Sequence, residues 1–370
     1  PEIVLTTEIC ELIDAVADRY AGTFSDVVRS AVPPRHARAE ATVFPDVPAT
    51  AVAVASSDIE NWAKYGHGGT LLTRLMEGKA SRWAWSGRPA HGWGADIAGL
   101  VRAVASNPEA GVLVVVPDKK SIDVVLGQLK PGIQDHDIAI LAADAGPERR
   151  YREFVRVLRG SARIVVGTRS AVFAPVRNLR LIIVWDDSDE SMIDPHAPYW
   201  HARDVAVMRA HHIGCSLAIG SAARSVVTQS LCESGWMRSI APMRSAIKSE
   251  APVIRALQPG DERQDSAAAV ARIPHTAWLV AKEGLRDGPV LIQVPRRGHT
   301  PALACQDCRQ RAVCECGGPL ALIAGAAIPV CSWCARPVAS WRCPHCKGTS
   351  LRAITIGVER TAEEFGRAFS

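Results

Sequence analysis

The sequence lacks several features that would place it in a class at once. No apolar run approaches the roughly 20 residues that span a bilayer; the best, at 112–116, is the size of a strand. Nothing in it resembles a positively charged start followed by the apolar stretch of a secretory signal. There is no low-complexity tract and no internal repeat beyond paired cysteines. Basic residues exceed acidic ones, but only in short clusters such as Arg35-His36-Ala37-Arg38, Lys119-Lys120, Arg149-Arg150-Tyr151-Arg152 and Arg296-Arg297. Taken singly, each of these reads as a solvated face. A net charge of +5 therefore favours a polyanionic partner only mildly.

What is present is an ordinary globular composition. Hydrophobic residues make up 48% and charged residues 22% of 370, a length that suggests two or three domains. The chain begins with Pro1 and stops at Ser370 without a terminal signal, and it reads as a fragment. Helical apolar spacing covers 8–31 and stops at Pro33-Pro34, and 35–60 has the Ala, Pro and Asp content of a linker. A short helix is expected at 70–78. From residue 97, helices at 97–105, 121–130, 148–159 and 203–211 alternate with apolar runs at 112–116, 138–141, 163–166, 181–184 and 217–219. That alternation predicts βαβ units and a parallel sheet covered on both faces. A second unit is expected from a helix at 265–284 and a strand at 290–294, resuming near 351.

Cysteine use is uneven. Cys10, Cys215 and Cys232 are scattered in apolar surroundings and read as inert thiols; the other eight fall within 42 residues. Their spacing is Cys305-x2-Cys308, Cys314-x1-Cys316, Cys331-x2-Cys334 and Cys343-x2-Cys346. Each Cys-x2-Cys pair puts two thiolates on one tight turn, and two such turns complete a tetrahedral Zn2+ site. Eight cysteines make two closed structural sites with no position left for a catalytic water. Unliganded thiols and iron are the alternatives for the same spacing. His345, inside the last pair, reads as a neighbour of the metal ligands. Trp333 and Trp341 read as the small core such modules otherwise lack, with stacking on a base or a partner as the rival use. A cluster of this kind inside a large mixed chain suits a reducing, cytoplasmic setting better than a secreted one.

In segment order, the chain resembles the PriA family of bacterial replication-restart DNA helicases, of superfamily 2. Val166-Gly167-Thr168-Arg169-Ser170-Ala171-Val172-Phe173 is similar to the family's GTRSA motif, and His201-Ala202-Arg203-Asp204 to its HARD element. Gly220-Ser221-Ala222 matches the start of the SAT motif. Pro295-Arg296-Arg297-Gly298, followed by Pro301-Ala302-Leu303, resembles the stretch that opens the family's cysteine module. The resemblance implies an α/β fold of two helicase-like (RecA-type) lobes, with a two-zinc module inserted in the second. It implies the end of an N-terminal DNA-binding domain at 1–40 and a linker or reduced winged-helix region at 41–80. Lobe 1 would occupy 81–245 and the start of lobe 2 246–304, with the zinc module at 305–346 and lobe 2 resuming at 347–370. It also implies nested ligation, with Cys305, Cys308, Cys343 and Cys346 on one zinc and Cys314, Cys316, Cys331 and Cys334 on the other. Tyr199 and Trp200, in the position of an aromatic-rich loop, become candidates for stacking on single-stranded DNA, with packing against the lobe surface as the equal alternative.

The departures from the family pattern bear on activity. A phosphate-binding loop needs a lysine for the β/γ-phosphates and a hydroxyl for Mg2+. The window 83–100 has glycines but no lysine. The DEEH position reads Trp185-Asp186-Asp187-Ser188, and Asp186-Asp187 read as a solvated turn at a strand end. The pattern is similar to the actinobacterial branch, which keeps the helicase architecture without the ATPase motifs. The expectation is a replication-restart protein that binds forked or single-stranded DNA and recruits other restart and replisome proteins in the cytoplasm, near the nucleoid. No catalytic residue, ATP hydrolysis or membrane partner is expected. An ATP-dependent 3′–5′ DNA helicase and a zinc-stabilised protein-interaction scaffold that does not bind DNA are the alternatives.

Overall fold

In the computed structural model the described residues are 3–45, 47–89, 92–142, 144–254, 256, 275–293, 303–322 and 328–353. The chain divides into two compact units, Pro1–Ile254 and Arg255–Ser370. The first is built on seven strands: β1 (Arg82–Ser86), β2 (Gly111–Val115), β3 (Ile138–Leu141), β4 (Ile164–Gly167), β5 (Leu179–Trp185), β6 (Ser216–Ser221) and β7 (Arg238–Ile240). They lie in the order β3-β4-β2-β5-β6-β1-β7, and every pairing is parallel.

Both faces of this sheet are covered, which is why its central strands are nearly continuous apolar runs. Alternation sorts the side chains: Val112, Val114, Leu181, Ile183 and Trp185 enter one core, Leu113, Val115, Ile182 and Val184 the other. The first core is closed by α4 (Ser56–Ala63), α5 (Gly68–Met76), α6 (Trp93–Ala105) and α7 (Lys119–Leu129). The second is closed by α1 (Thr7–Arg19), α2 (Phe24–Ala31) and α9 (Ala202–Ile213). Two short helices, α3 (Ala37–Glu40) and α8 (Pro147–Leu158), pack together beside β3.

The structure revises several sequence expectations. The helix expected over 8–31 is two helices, because Ala21 takes a left-handed φ of 50° and Thr23 starts α2 with a capping box to Asp26. The region 35–60 is less linker-like than its composition suggests, since α4 occupies its end and places Asp58 in the core. Strands β1 and β7 and helices α10 (Val226–Glu233) and α11 (Arg244–Glu250) add to the expected elements. The first unit extends past 245 to Ile254, and Glu250 of α11 bonds Arg88 at 2.7 Å within it. Of the second unit, the helix α12 (His275–Asp287) is described; it overlaps the span expected at 265–284 and ends three residues beyond it, and residues 290–293 of the expected strand form no strand. Residues 257–274, 294–302 and 354–370 lie outside the described residues. They include the Pro295-Arg296-Arg297-Gly298 stretch and most of the expected resumption of lobe 2. No helix among the described residues is long and apolar enough to cross a membrane.

One buried ion pair fixes three helices against each other. The Arg102 guanidinium on α6 donates twice to the Asp58 carboxylate, at 2.7 Å each, and once to the Gln128 carbonyl on α7 at 2.9 Å. Removing one partner of such a pair strands a buried charge, at a cost of roughly 3–5 kcal/mol. Asp58→Ala is therefore expected to lower stability by about that amount in urea unfolding followed by tryptophan emission; a loss under about 1 kcal/mol would show the pair to be dispensable.

Candidate metal centres and phosphate-loop site

The cysteine segment is a set of turns braced by two small ladders. β8 (Leu303–Cys305) pairs antiparallel with β11 (Leu351–Ala353), and β9 (Leu320–Ala321) with β10 (Val330–Cys331). Leu303, Ala312, Leu320 and Trp341 form the core, and the Trp341 indole N–H donates to the Val313 carbonyl at 3.1 Å. Trp333, by contrast, is exposed, so only one of the two tryptophans serves as core. His345 is exposed and stands outside both ligand groups.

The eight sulfurs fall into two groups, Cys305/Cys308/Cys343/Cys346 and Cys314/Cys316/Cys331/Cys334, each with all its ligand atoms within 4.8 Å of one another. Sulfur–sulfur contacts of 3.4 Å (Cys305–Cys346) and 3.5 Å (Cys308–Cys343) occur in the first, and 3.5 Å (Cys316–Cys331) and 3.9 Å (Cys314–Cys334) in the second. Thiols this close compete for charge. Backbone N–H groups of Cys346 and His345 pull the Cys343 thiol down to about 6, and those of Cys334 and Trp333 do the same for Cys331. The backbone N–H of Gly348 favours the Cys346 thiolate, but the thiols sharing its site outweigh it and push Cys346 up to about 12. Only a cation lets all four sulfurs of a group ionise together.

The turn geometry also accounts for the irregular pair. In the three Cys-x2-Cys turns the carbonyl of the first cysteine accepts from the N–H four residues on: Arg309 to Cys305 at 3.1 Å, Ala335 to Cys331 at 3.0 Å, Lys347 to Cys343 at 3.0 Å. Those three acceptor-closing residues have φ near +60°, namely 60°, 57° and 67°. Cys314-x1-Cys316 closes one residue sooner, by Gly317 N–H to the Cys314 carbonyl at 2.8 Å, with φ of 81° at Gly317. The tighter turn is made by a glycine where the others tolerate a side chain.

The second site lies at the carboxyl ends of the strands, the usual place for ligands in open α/β sheets. The spacing Gly87-x4-Gly92-Trp93-Gly94 between β1 and α6 is that of a phosphate loop, with Trp93 in the lysine place and Gly94 in the hydroxyl place. Residues 90–91 of this loop lie outside the described residues. Trp185 ends β5 where the Mg2+-binding acid would stand. The two indoles stack, with centroids 4.7 Å apart and planes 11° from parallel. Trp185 also packs on Trp85 at 5.7 Å, and Trp85 on Trp62 at 6.0 Å. A Cβ at Gly94 would meet Val124 Cγ1 at 2.8 Å, so a serine or threonine there would require Val124 of α7 to shift. Beside the loop, buried Arg88 is held by Glu250 at 2.7 Å and Asn61 at 3.3 Å, and Tyr65 donates to Asp96 at 2.6 Å. The stacked indole pair places no charge and no oxygen ligand at these two positions.

Over its whole length the chain is 45% identical to the probable replication restart protein PriA of Mycobacterium tuberculosis, and over 99% of its length 42% identical to that of Mycobacterium leprae. The chain belongs to the PriA family. It spans 57% of the length of each of these two relatives. PriA of Thermotoga maritima is 30% identical over 70% of this chain and 34% of its own. No protein-family model matches the chain. Among solved structures, a DEAD box protein of Methanococcus jannaschii aligns at 15% identity and a TM-score of 0.36, over 59% of this chain and 62% of that one.

Within the PriA motif positions the structure corrects one reading and decides between two others. Asp187 is not a solvated turn residue: it is fully buried, and its Oδ2 accepts from Arg203 at 3.1 Å, Thr228 Oγ1 at 2.8 Å and the Ser225 hydroxyl. One carboxylate thus ties the DEEH-like, HARD and SAT-like segments together. The spacing Ser225-x2-Thr228 at the start of α10 was the available signal for it. Trp200 is not open to a base either. It is fully buried, edge-on to Phe173 at 5.1 Å, because the loop turns it into the core under α9. Tyr199 is 60% exposed and remains the accessible aromatic of that loop.

Of the remaining cysteines, Cys215 is buried, and burial pushes its thiol up to about 12; Cys10 and Cys232 are half-buried. Two outcomes check the site geometry. Gly317→Val forces a β-branched residue into left-handed backbone and should weaken metal binding at the Cys314 group by about tenfold, leaving the Cys305 group unchanged. Chelator competition measures both, and equal loss from the two groups would refute the local account. Trp93→Ala should cost about 1–2 kcal/mol in urea unfolding through the lost stack; unchanged stability would show that the ring is not part of the core.

Proposed function

We propose that this chain is the helicase-like part of a replication-restart protein that binds forked or single-stranded DNA and recruits other restart and replisome proteins, without ATP-driven unwinding. The observation that carries this reading is the Trp93–Trp185 stack. Lysine and metal-binding acid are the two groups an ATPase aims at the same phosphates, and their absence removes the electrostatic stabilisation on which phosphoryl transfer depends. The family relationship supports the restart role, and Tyr199 is the candidate for contact with single-stranded DNA. Residues 81–254 are assigned to lobe 1, and the second unit on either side of the cysteine module at 303–353 to lobe 2.

The two cysteine groups are proposed as structural zinc sites. Four thiolates are a donor set that suits Zn2+, and sulfur contacts of 3.4 Å to 3.9 Å lie near the roughly 3.8 Å edge of a tetrahedron with 2.3 Å Zn–S bonds. Zinc bound there would hold together a module whose apolar core is small. Free thiols in ligand geometry suit a reducing cytoplasm, where the nucleoid is the natural place of work.

The test is an ATPase assay of the complete protein with and without forked DNA, run beside fork-binding titrations at several salt concentrations and metal analysis. The expected result is two zinc ions per chain, fork affinity that falls with salt, and no DNA-stimulated turnover. Turnover at helicase-like rates would reject the reading. Absent or salt-insensitive DNA binding would favour a scaffold that does not touch DNA.

A further inference from the structure

At the opposite edge of the sheet from the phosphate-loop site, the amino ends of β1, β6 and β7 border a cleft of about 330 Å³. Its wall carries Arg74 of α5, Arg82 at the start of β1 and Arg238 at the start of β7, with Ser81, Trp83 and Trp236. Among the described residues none of the three arginines has a carboxylate within ion-pair distance. Other buried or half-buried arginines of this unit, such as Arg88, Arg102 and Arg209, do have one.

Two of the three guanidiniums are set by aromatic faces. Arg82 lies 4.2 Å from the Trp236 ring centroid and Arg238 5.6 Å from that of Trp83. A guanidinium laid on a ring keeps its N–H edge free for an oxyanion, and less rotamer freedom is lost when one binds. Arg74 is anchored by a 3.1 Å bond to the Ala80 carbonyl. A second observation is independent of the charges. The Trp83 indole N–H and the Ser81 hydroxyl are buried in the same wall without a hydrogen-bond partner. Trp83 as a whole is 2% exposed. Unpaired buried donors of this kind are costly, and an acceptor-rich ligand is what satisfies them.

We propose that this cleft is a phosphate-binding site, distinct from the phosphate-loop position, that takes either a phosphodiester of a nucleic acid or a free polyphosphate. It goes beyond the proposed function, which assigns no contact to this edge of the sheet. Three arginines without a carboxylate partner, the Arg82 guanidinium bonding only His211 Nδ1 at 3.4 Å among the described residues, and two unpaired donors match the several oxygens of a phosphate, and no acid in the cleft wall opposes it.

The probes are a fluorescein-labelled 20-nucleotide oligo-dT and inorganic tripolyphosphate, bound to the complete protein. In Arg82→Gln/Arg238→Gln, oligo-dT affinity at low salt should fall tenfold or more, and the slope of log affinity on log salt should become shallower by about 0.7, for the one phosphate the cleft holds. Trp83→Phe keeps the ring and removes the N–H, and should weaken binding about two- to tenfold. The single Arg238→Gln, on an exposed edge position, guards against misfolding of the double variant, with thermal midpoints compared throughout. Loss confined to oligo-dT assigns a nucleic-acid phosphodiester, and loss confined to tripolyphosphate assigns a free phosphate. Wild-type affinity of all variants for both probes would overturn the site while leaving fork binding by the protein intact. Displacement by poly-glutamate as effective as that by tripolyphosphate would overturn the phosphate assignment in favour of an acidic peptide.

Discussion

The first unit depends on a line of aromatic contacts that runs from its outer helices to the ends of its central strands. Trp62 of α4 packs on Trp85 of β1, Trp85 on Trp185 of β5, and Trp185 on Trp93 at the start of α6. In a helicase-like lobe, the strand ends and the first turn of that helix converge on phosphate. Here they converge on one another. The line also constrains the sheet: a Cβ at Gly220 of β6 would fall 2.2 Å from the Trp85 ring, so the large ring on β1 requires the absent side chain next door. Stacking and burial hold the strand ends and the helix together at this point.

The polar interior is held together at the same motif positions. Asp187 receives three side-chain donors and has become the fastener of β5, α9 and α10. Arg209, equally buried, donates to Glu8 of α1 at 2.8 Å and to the Val172 and Ala174 carbonyls at 2.7 Å and 2.9 Å. That bond set joins the amino-terminal helices to the segment after β4. Buried charges held this way make poor hinges, because moving any one element strands a charge.

Much of this architecture was legible in the sequence, and the failures have physical causes. Strands at 112–116, 138–141, 163–166, 181–184 and 217–219 were readable because a doubly covered parallel sheet demands β-rich apolar runs. Strand β1 escaped because Arg82-Trp83-Ala84-Trp85-Ser86 has no β-branched residue and runs straight into a glycine-rich loop. Its place depends on the gap at Gly220, far away in sequence. β7 is a three-residue edge strand, too short for any periodicity. Asp187 was misjudged, and Trp200 left between two readings, for a common reason. Both sit in loops that look polar in sequence, and only the tertiary fold determines that Asp187 meets Arg203 and that Trp200 meets Phe173.

The cysteine module was the more legible part, because its information is local. Ligand spacing fixes which sulfurs share a turn, and a left-handed residue after each pair lets the chain reverse over them. Arg309, Ala335 and Lys347 accept that conformation at some strain, in turns closed over four residues. At Cys314-x1-Cys316 the turn closes over three, φ rises to 81°, and the residue is Gly317. The next residue, Gly318, has the same logic: a Cβ there would lie 2.6 Å from the Cys331 sulfur. The Gly317-Gly318 pair is thus the compensation for the missing residue. The shortened spacing, which looked like a defect in the ligand pattern, is consistent with a full four-sulfur site.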